Sequence, residues 1–134
     1  MTALTKIEGI GPAYAEKLKA AGIGSIETLL ETGASSKGRK SLAESTGISD
    51  KLILEWTNRA DLFRVPGIGE EYSDLLEHAG VDTVLELAQR NAENLHKKMA
   101  EVNDAKKVVR QLPSEKQVAA WIESAKTLPR VVQY

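Results

Sequence analysis

Ile7-Glu8-Gly9-Ile10-Gly11-Pro12-Ala13-Tyr14 recurs 58 positions later as Val65-Pro66-Gly67-Ile68-Gly69-Glu70-Glu71-Tyr72. The same offset pairs Leu18 with Leu76, Ala21-Gly22-Ile23 with Ala79-Gly80-Val81, Ile26 with Val84 and Leu29 with Leu87. Further on the offset grows to 65, pairing Ser49-Asp50-Lys51 with Ser114-Glu115-Lys116 and Trp56 with Trp121. A register held from Ile7 to Leu29, with a matching tryptophan beyond it, reads as an internal duplication whose second copy gained seven residues after Met99. The expected organisation is repeat one over 1–60, repeat two over 61–127 and a tail over 128–134.

The local signals are helical. Pro12 suits a first helical position, where its missing N–H costs nothing. Tyr14, Leu18 and Ala21 follow at i, i+4 and i+7, and Gly22 supplies a left-handed stop. Tyr72, Leu76, Ala79 and Gly80 repeat that pattern. Short helices are expected over about 25–31 and 83–90, with Ser25 and Thr83 as N-caps. Further helices are expected over about 38–46 and 91–102, and Ser49 and Ser114 cap those that carry Trp56 and Trp121. β-branched alternation over a strand length is absent, so the expected fold is all-α, two repeats packed as one compact helical body.

The Gly-Ile-Gly turn carries the chemistry. Its glycines have access to backbone angles closed to other residues, so the chain reverses sharply, and its isoleucine anchors the turn in the core. The first N–H groups of the following helix then point outward with the positive end of the helix dipole behind them. That arrangement suits a phosphate.

At these residues the sequence resembles the helix-hairpin-helix family. A hydrophobic residue, any residue, Gly-Ile-Gly and a helix with Ala and Leu are matched at 7–18 and again at 65–76. The resemblance implies two hairpins in one compact unit that hold the DNA backbone without reading sequence, and in some members a monovalent cation on the hairpin carbonyls. The whole chain is similar to a bacterial family of tandem helix-hairpin-helix proteins labelled as a domain of unknown function. The matching stretches are Thr46-Gly47-Ile48-Ser49, Glu55-Trp56-Thr57-Asn58-Arg59-Ala60-Asp61-Leu62 running into Val65-Pro66-Gly67-Ile68-Gly69, and Asn94-Leu95 through Val102-Asn103.

The copies differ in charge. Hairpin one is followed by Pro12, Ala13 and Tyr14, with Lys6, Lys17 and Lys19 nearby. Hairpin two is followed by Glu70, Glu71 and Asp74, acids that favour the dipole but repel a phosphate. Hairpin one is therefore the better phosphate candidate, although members that contact DNA usually place Lys, Arg, Ser or Thr where this chain has Ala13 and Glu71. Candidate nucleic-acid-binding residues are Lys6, Gly9, Ile10, Gly11, Lys17 and Lys19, the cluster Lys37, Arg39 and Lys40, the glycines Gly67 and Gly69, and the cluster Lys97, Lys98, Lys106 and Lys107 with Arg110. On a helix, 106 and 110 share a face, as do Lys97 and Glu101. For either cluster, solvated charge on a helix face is the favoured reading over a binding stripe.

Of 134 residues, 42% are hydrophobic and 28% charged, the composition of a globular domain, and the formal net charge is -1. Charge is uneven: residues 1–60 carry +1, 61–95 carry -6 and 96–134 carry +4. A polyanion would therefore meet only part of the surface. There is no cysteine, which excludes disulfides, thiolate metal sites and a cysteine nucleophile. No signal peptide or membrane-length apolar run is visible, so a cytoplasmic location is expected.

Aromatic residues make up 4%, which argues against single-strand binding by base stacking. Trp56, Trp121, Tyr14 and Tyr72 recur at equivalent positions and read as core and bracing residues. His78 and His96 are the only histidines and are not equivalent, so no metal site is expected. Helix-hairpin-helix glycosylases carry a catalytic aspartate after the second helix, but Asp82 lies directly before Thr83 and reads as part of an N-cap. No enzyme activity and no cofactor are expected.

The leading expectation is a non-catalytic module that binds double-stranded DNA through its backbone. The alternative is a protein-interaction or scaffolding domain whose hairpins are purely structural. The tail Pro129-Arg130-Val131-Val132-Gln133-Tyr134 is apolar enough to dock on this chain or on a neighbour.

Overall fold

Side-chain oxygens and glycines divide the chain into eight α-helices and a short 3-10 turn at Leu4–Lys6. The computed structural model describes residues 1–134, and none of them forms a strand. The helices are α1 (Pro12–Ala20), α2 (Ile26–Gly33), α3 (Ser36–Thr46), α4 (Asp50–Leu62), α5 (Glu70–His78), α6 (Val84–Ala88), α7 (Ala92–Lys106) and α8 (Glu115–Lys126). The fold is all-α, and no helix is long and apolar enough to cross a membrane. The chain forms two compact units, Met1–Asp61 with Val131–Tyr134, and Leu62–Arg130.

In unit one, α1 and α2 both pack against α3. α1 buries Ala15 and Leu18, and ends where Gly22 turns left-handed at φ 90° and the Ile23 N–H reaches the Leu18 carbonyl at 2.8 Å. α2 lies close to α4 because position 33 is glycine: a Cβ there would run into the Thr57 hydroxyl. That hydroxyl donates to the Ile53 carbonyl at 2.7 Å. Trp56 is buried, and its ring meets Tyr14 edge-on with centroids 5.0 Å apart. Such a pair contributes about 0.5–1.5 kcal/mol beyond the apolar area it buries. The chain start is tied down as well, with the Ile26 N–H donating to the Thr2 carbonyl at 3.0 Å.

Unit two has a continuous core that includes Leu62, Val65, Leu75, Leu76, Met99, Val118 and Trp121. α8 packs on α6 and α7, and α5 packs on α7. Gly80 turns left-handed at φ 93°, the Val81 N–H reaches the Leu76 carbonyl at 2.8 Å, and Tyr72 stacks tilted on Trp121 with centroids 5.1 Å apart. α6 is only Val84–Ala88, shorter than the 83–90 its sequence suggests. α7 runs past 102 to Lys106 and stops because Lys107 takes the left-handed conformation, φ 52° and ψ 47°, without being glycine. The expected helical face shared by Lys106 and Arg110 therefore does not exist, since residues 107–113 lie outside any helix.

The stretch 128–134 does not stay together. The Leu128–Arg130 part belongs to unit two, where Arg64 donates to the Pro129 carbonyl at 2.8 Å, and Val131–Tyr134 belongs to unit one.

Candidate nucleic-acid interface

The two glycines of each Gly-Ile-Gly turn do different things. Gly9 and Gly67 have φ of 99° and 93°, a region L side chains rarely adopt. A Cβ at Gly9 would lie 3.2 Å from Nε1 of Trp56, and one at Gly67 3.0 Å from Nε1 of Trp121. Both the backbone and the packing therefore require glycine at these positions. Gly11 and Gly69 are otherwise. Their φ values, -91° and -121°, are ordinary extended backbone, and a Cβ on either meets nothing within 4 Å. The expectation that both glycines of a turn are needed for the chain reversal is thus corrected: the first makes the turn, and nothing inside the protein requires the second. Ile10 and Ile68 are buried, as an anchoring role demands.

Gly11 and Gly69 are the N-caps of α1 and α5, and neither offers a side-chain acceptor. The other six helices are all capped by a side-chain oxygen. Ser25 accepts from Thr28 N, Ser35 from Gly38 N, Ser49 from Leu52 N, Thr83 from Glu86 N, Asn91 from Asn94 N and Ser114 from Gln117 N. α5 compensates with Glu70 and Glu71 in its first turn, where acids suit the dipole. α1 has no acid in its first turn, so it is the one helix with neither a side-chain cap nor a first-turn carboxylate. The first bond within α1 is Ala15 N–H to the Gly11 carbonyl at 3.0 Å, so the N–H groups of Ala13 and Tyr14 precede the ladder.

The bases near α1 lie on either side of its start, Lys6 at the end of the 3-10 turn before it and Lys17 and Lys19 in the last turn of the helix. Lys6, Lys17 and Lys19 are all exposed, and Nζ of Lys17 sits 5.9 Å from the Tyr14 ring centroid. The positions 58 residues on are Arg64, which binds the Pro129 carbonyl, the buried Leu75, and Glu77. Near the start of α5, Asp74 also lies 3.5 Å from His78. The two turns thus share backbone geometry and differ in charge.

The remaining basic candidates divide. Lys37 and Lys40 are exposed and line an open depression on α3 with Ser36, Ser41 and Glu44. Arg39 does not join them. It is 4% exposed, and its guanidinium donates to the carbonyls of Gly33 (2.8 Å), Ala34 (3.3 Å) and Gln133 (2.7 Å), so it is removed from the phosphate-facing set. Sequence proximity to two lysines hid this, because its deciding partner lies 94 residues away. In unit two, Lys98 and Lys106 are exposed, Lys97 pairs with Glu93 at 3.4 Å and Lys107 stands 4.0 Å from Asp104. Glu101, Asp104, Lys107 and Arg110 line a second open depression of mixed charge.

No group of three or more His, Cys, Asp or Glu side chains is placed to hold a metal ion. His96 Nε2 lies 2.8 Å from the Pro113 carbonyl, and Thr83 rather than Asp82 is the N-cap of α6.

Over residues 8–128 the chain matches, and belongs to, the family described as a domain of unknown function (DUF4332). No curated protein and no solved structure matches it.

Proposed function

We propose that the protein is a non-catalytic module that binds double-stranded DNA through its phosphate backbone, with the Gly9–Gly11 turn and the start of α1 acting as a helix-hairpin-helix contact. The reading rests on one observation: α1 alone lacks both a capping side chain and a first-turn acid, while its cap glycine has no internal reason to be glycine. A missing side chain at an open helix N-terminus lets a phosphate approach the Ala13 and Tyr14 N–H groups, and the exposed Lys6, with Lys17 and Lys19 further along α1, adds longer-range positive potential. Gly67–Gly69 would be the second hairpin, with Glu70 and Glu71 in place of an external anion. Those acids favour a purely structural role for that turn, which is the part of the molecule where a scaffolding reading has support.

The test is fluorescence anisotropy of a labelled duplex at about 50 and 200 mM salt, with the wild type and Gly11→Asp. The wild type is expected to bind with an affinity that falls steeply with salt. Gly11→Asp fills the cap with a carboxylate, so it should stabilise the fold by about 0.5–1 kcal/mol and weaken duplex binding at least about tenfold, the equivalent of one lost charge-assisted contact. Absent binding at low salt, or an unchanged affinity in Gly11→Asp, overturns the proposal.

A further inference from the structure

The segment Val131–Tyr134 lies in unit one as a ligand would. Its Gln133 is read at both main-chain groups: the N–H donates to the Ala34 carbonyl at 2.7 Å and the carbonyl accepts from Arg39 at 2.7 Å. On one side Val132 is buried to 3% exposure, and on the other the Tyr134 hydroxyl donates to Oδ1 of Asn58 at 3.3 Å. Arg39 is the costly part of this arrangement. A guanidinium buried to 4% is tolerated when its donors are satisfied, and here the carbonyls at the C-terminal end of α2 supply both acceptors and the negative end of a helix dipole. Unit two manages without such a device: Leu95 occupies the fourth place after its cap Asn91, where Arg39 occupies the fourth place after its cap Ser35.

We infer that the corner between α2 and α3, with Arg39, is a recognition site for an extended peptide with an apolar residue just ahead of its main-chain-held position, filled here by the chain's own Val131–Tyr134 and open to the same segment of a second copy. The contacts to residue 133 are to its main chain and the side-chain contacts are to its two neighbours, so the main chain is held whatever residue stands at 133 and the buried Val132 sets the preference. Exchange between copies replaces each contact by an identical one, so the balance is set by protein concentration against the effective concentration of the tethered segment. The lead-in Thr127–Arg130 contains Pro129, whose carbonyl is held by Arg64, so the segment leaves unit two from a fixed point.

The experiment uses full chains and a labelled peptide of residues 127–134. Val132→Asp and, separately, Gln133→Pro vacate the site in cis, the first by charging a buried side chain and the second by deleting the N–H that Ala34 accepts. Both variants are expected to keep wild-type helicity and to bind the peptide saturably. The wild type, whose site is occupied, should bind it at least tenfold more weakly. Adding Arg39→Leu to either variant should abolish binding, and so should the Val132→Asp change in the peptide. A flat titration against both vacated chains while they remain helical overturns the site, and so does equal binding with and without Arg39.

Discussion

Two glycines separated by one residue should respond oppositely to the same substitution. Gly9→Ala places a Cβ on a backbone at φ 99°, which costs about 1–2 kcal/mol for an L residue. It also brings that Cβ to 3.2 Å from Nε1 of Trp56, a ring that is 2% exposed and braced by Tyr14, so the indole has little room to retreat. The expected loss is about 2 kcal/mol in total, within the range for strained backbone positions. Gly11→Ala faces neither problem, since φ is -91° and nothing lies within 4 Å. It gains about 0.4–1 kcal/mol from a stiffer unfolded chain and gives up a similar amount because alanine is a poorer N-cap than glycine. Its net effect should lie within about 0.5 kcal/mol of zero. The difference of about 2 kcal/mol corresponds to roughly a thirtyfold change in the folding equilibrium, readable by urea denaturation followed by circular dichroism. Equal losses at the two positions would show that the turn needs both glycines for its backbone, and would remove the argument that Gly11 is free for an external partner.

Other expectations follow from local geometry. Lys107→Gly should stabilise the protein by about 1 kcal/mol, because the left-handed end of α7 is strained for lysine and not for glycine; an unchanged urea midpoint would contradict this. Replacing Glu70 and Glu71 with lysine should cost about 0.3–1 kcal/mol each in dipole complementarity while strengthening duplex binding if the second turn meets DNA, and unchanged affinity would place that turn away from the duplex. Glu27 is held below the usual carboxylate range, chiefly by the Thr2 backbone N–H, then by its own backbone N–H and the Thr2 hydroxyl. A lowered folded-state value stabilises the fold above the ordinary glutamate range, and that contribution is lost as pH falls through the lowered midpoint. Thr2→Val should raise the Glu27 midpoint in an NMR titration, and an unmoved midpoint would assign the shift to the backbone donors alone.

What was legible in the sequence was what depends on near neighbours. Ser25, Ser49, Thr83 and Ser114 cap helices as their residue types suggest, because an N-cap needs only an oxygen and an N–H two or three residues on. Trp56 and Trp121 read as core from their apolar surroundings and are buried. What was not legible depends on distant partners or on one residue type serving two conformations. Gly9 and Gly11 are the same letter, and only the approach of Trp56 to the first separates a glycine required by the fold from one that is not. Arg39 reads as a surface base beside Lys37 and Lys40 until Gln133, 94 residues on, accepts from it. The end of α7 carries no glycine to announce it, and lysine 107 adopts the left-handed turn regardless.

The contrast between the two turns narrows what the second glycine can be for. A side chain that serves only the fold should be kept wherever the fold is kept, and the first glycine, the tyrosine and the tryptophan meet that standard in both units. An N-terminus that faces only water gains from a cap or an acid, and seven of the eight helices take one or the other. α1 takes neither. Lys17 and Lys19 stand in its last turn, where bases suit the dipole, so the uncompensated feature of α1 is the bare cap. A bare cap gains from an anion placed at it, which is what the proposed phosphate contact would supply, whereas Glu70 and Glu71 bring that negative charge to the α5 start from within the chain.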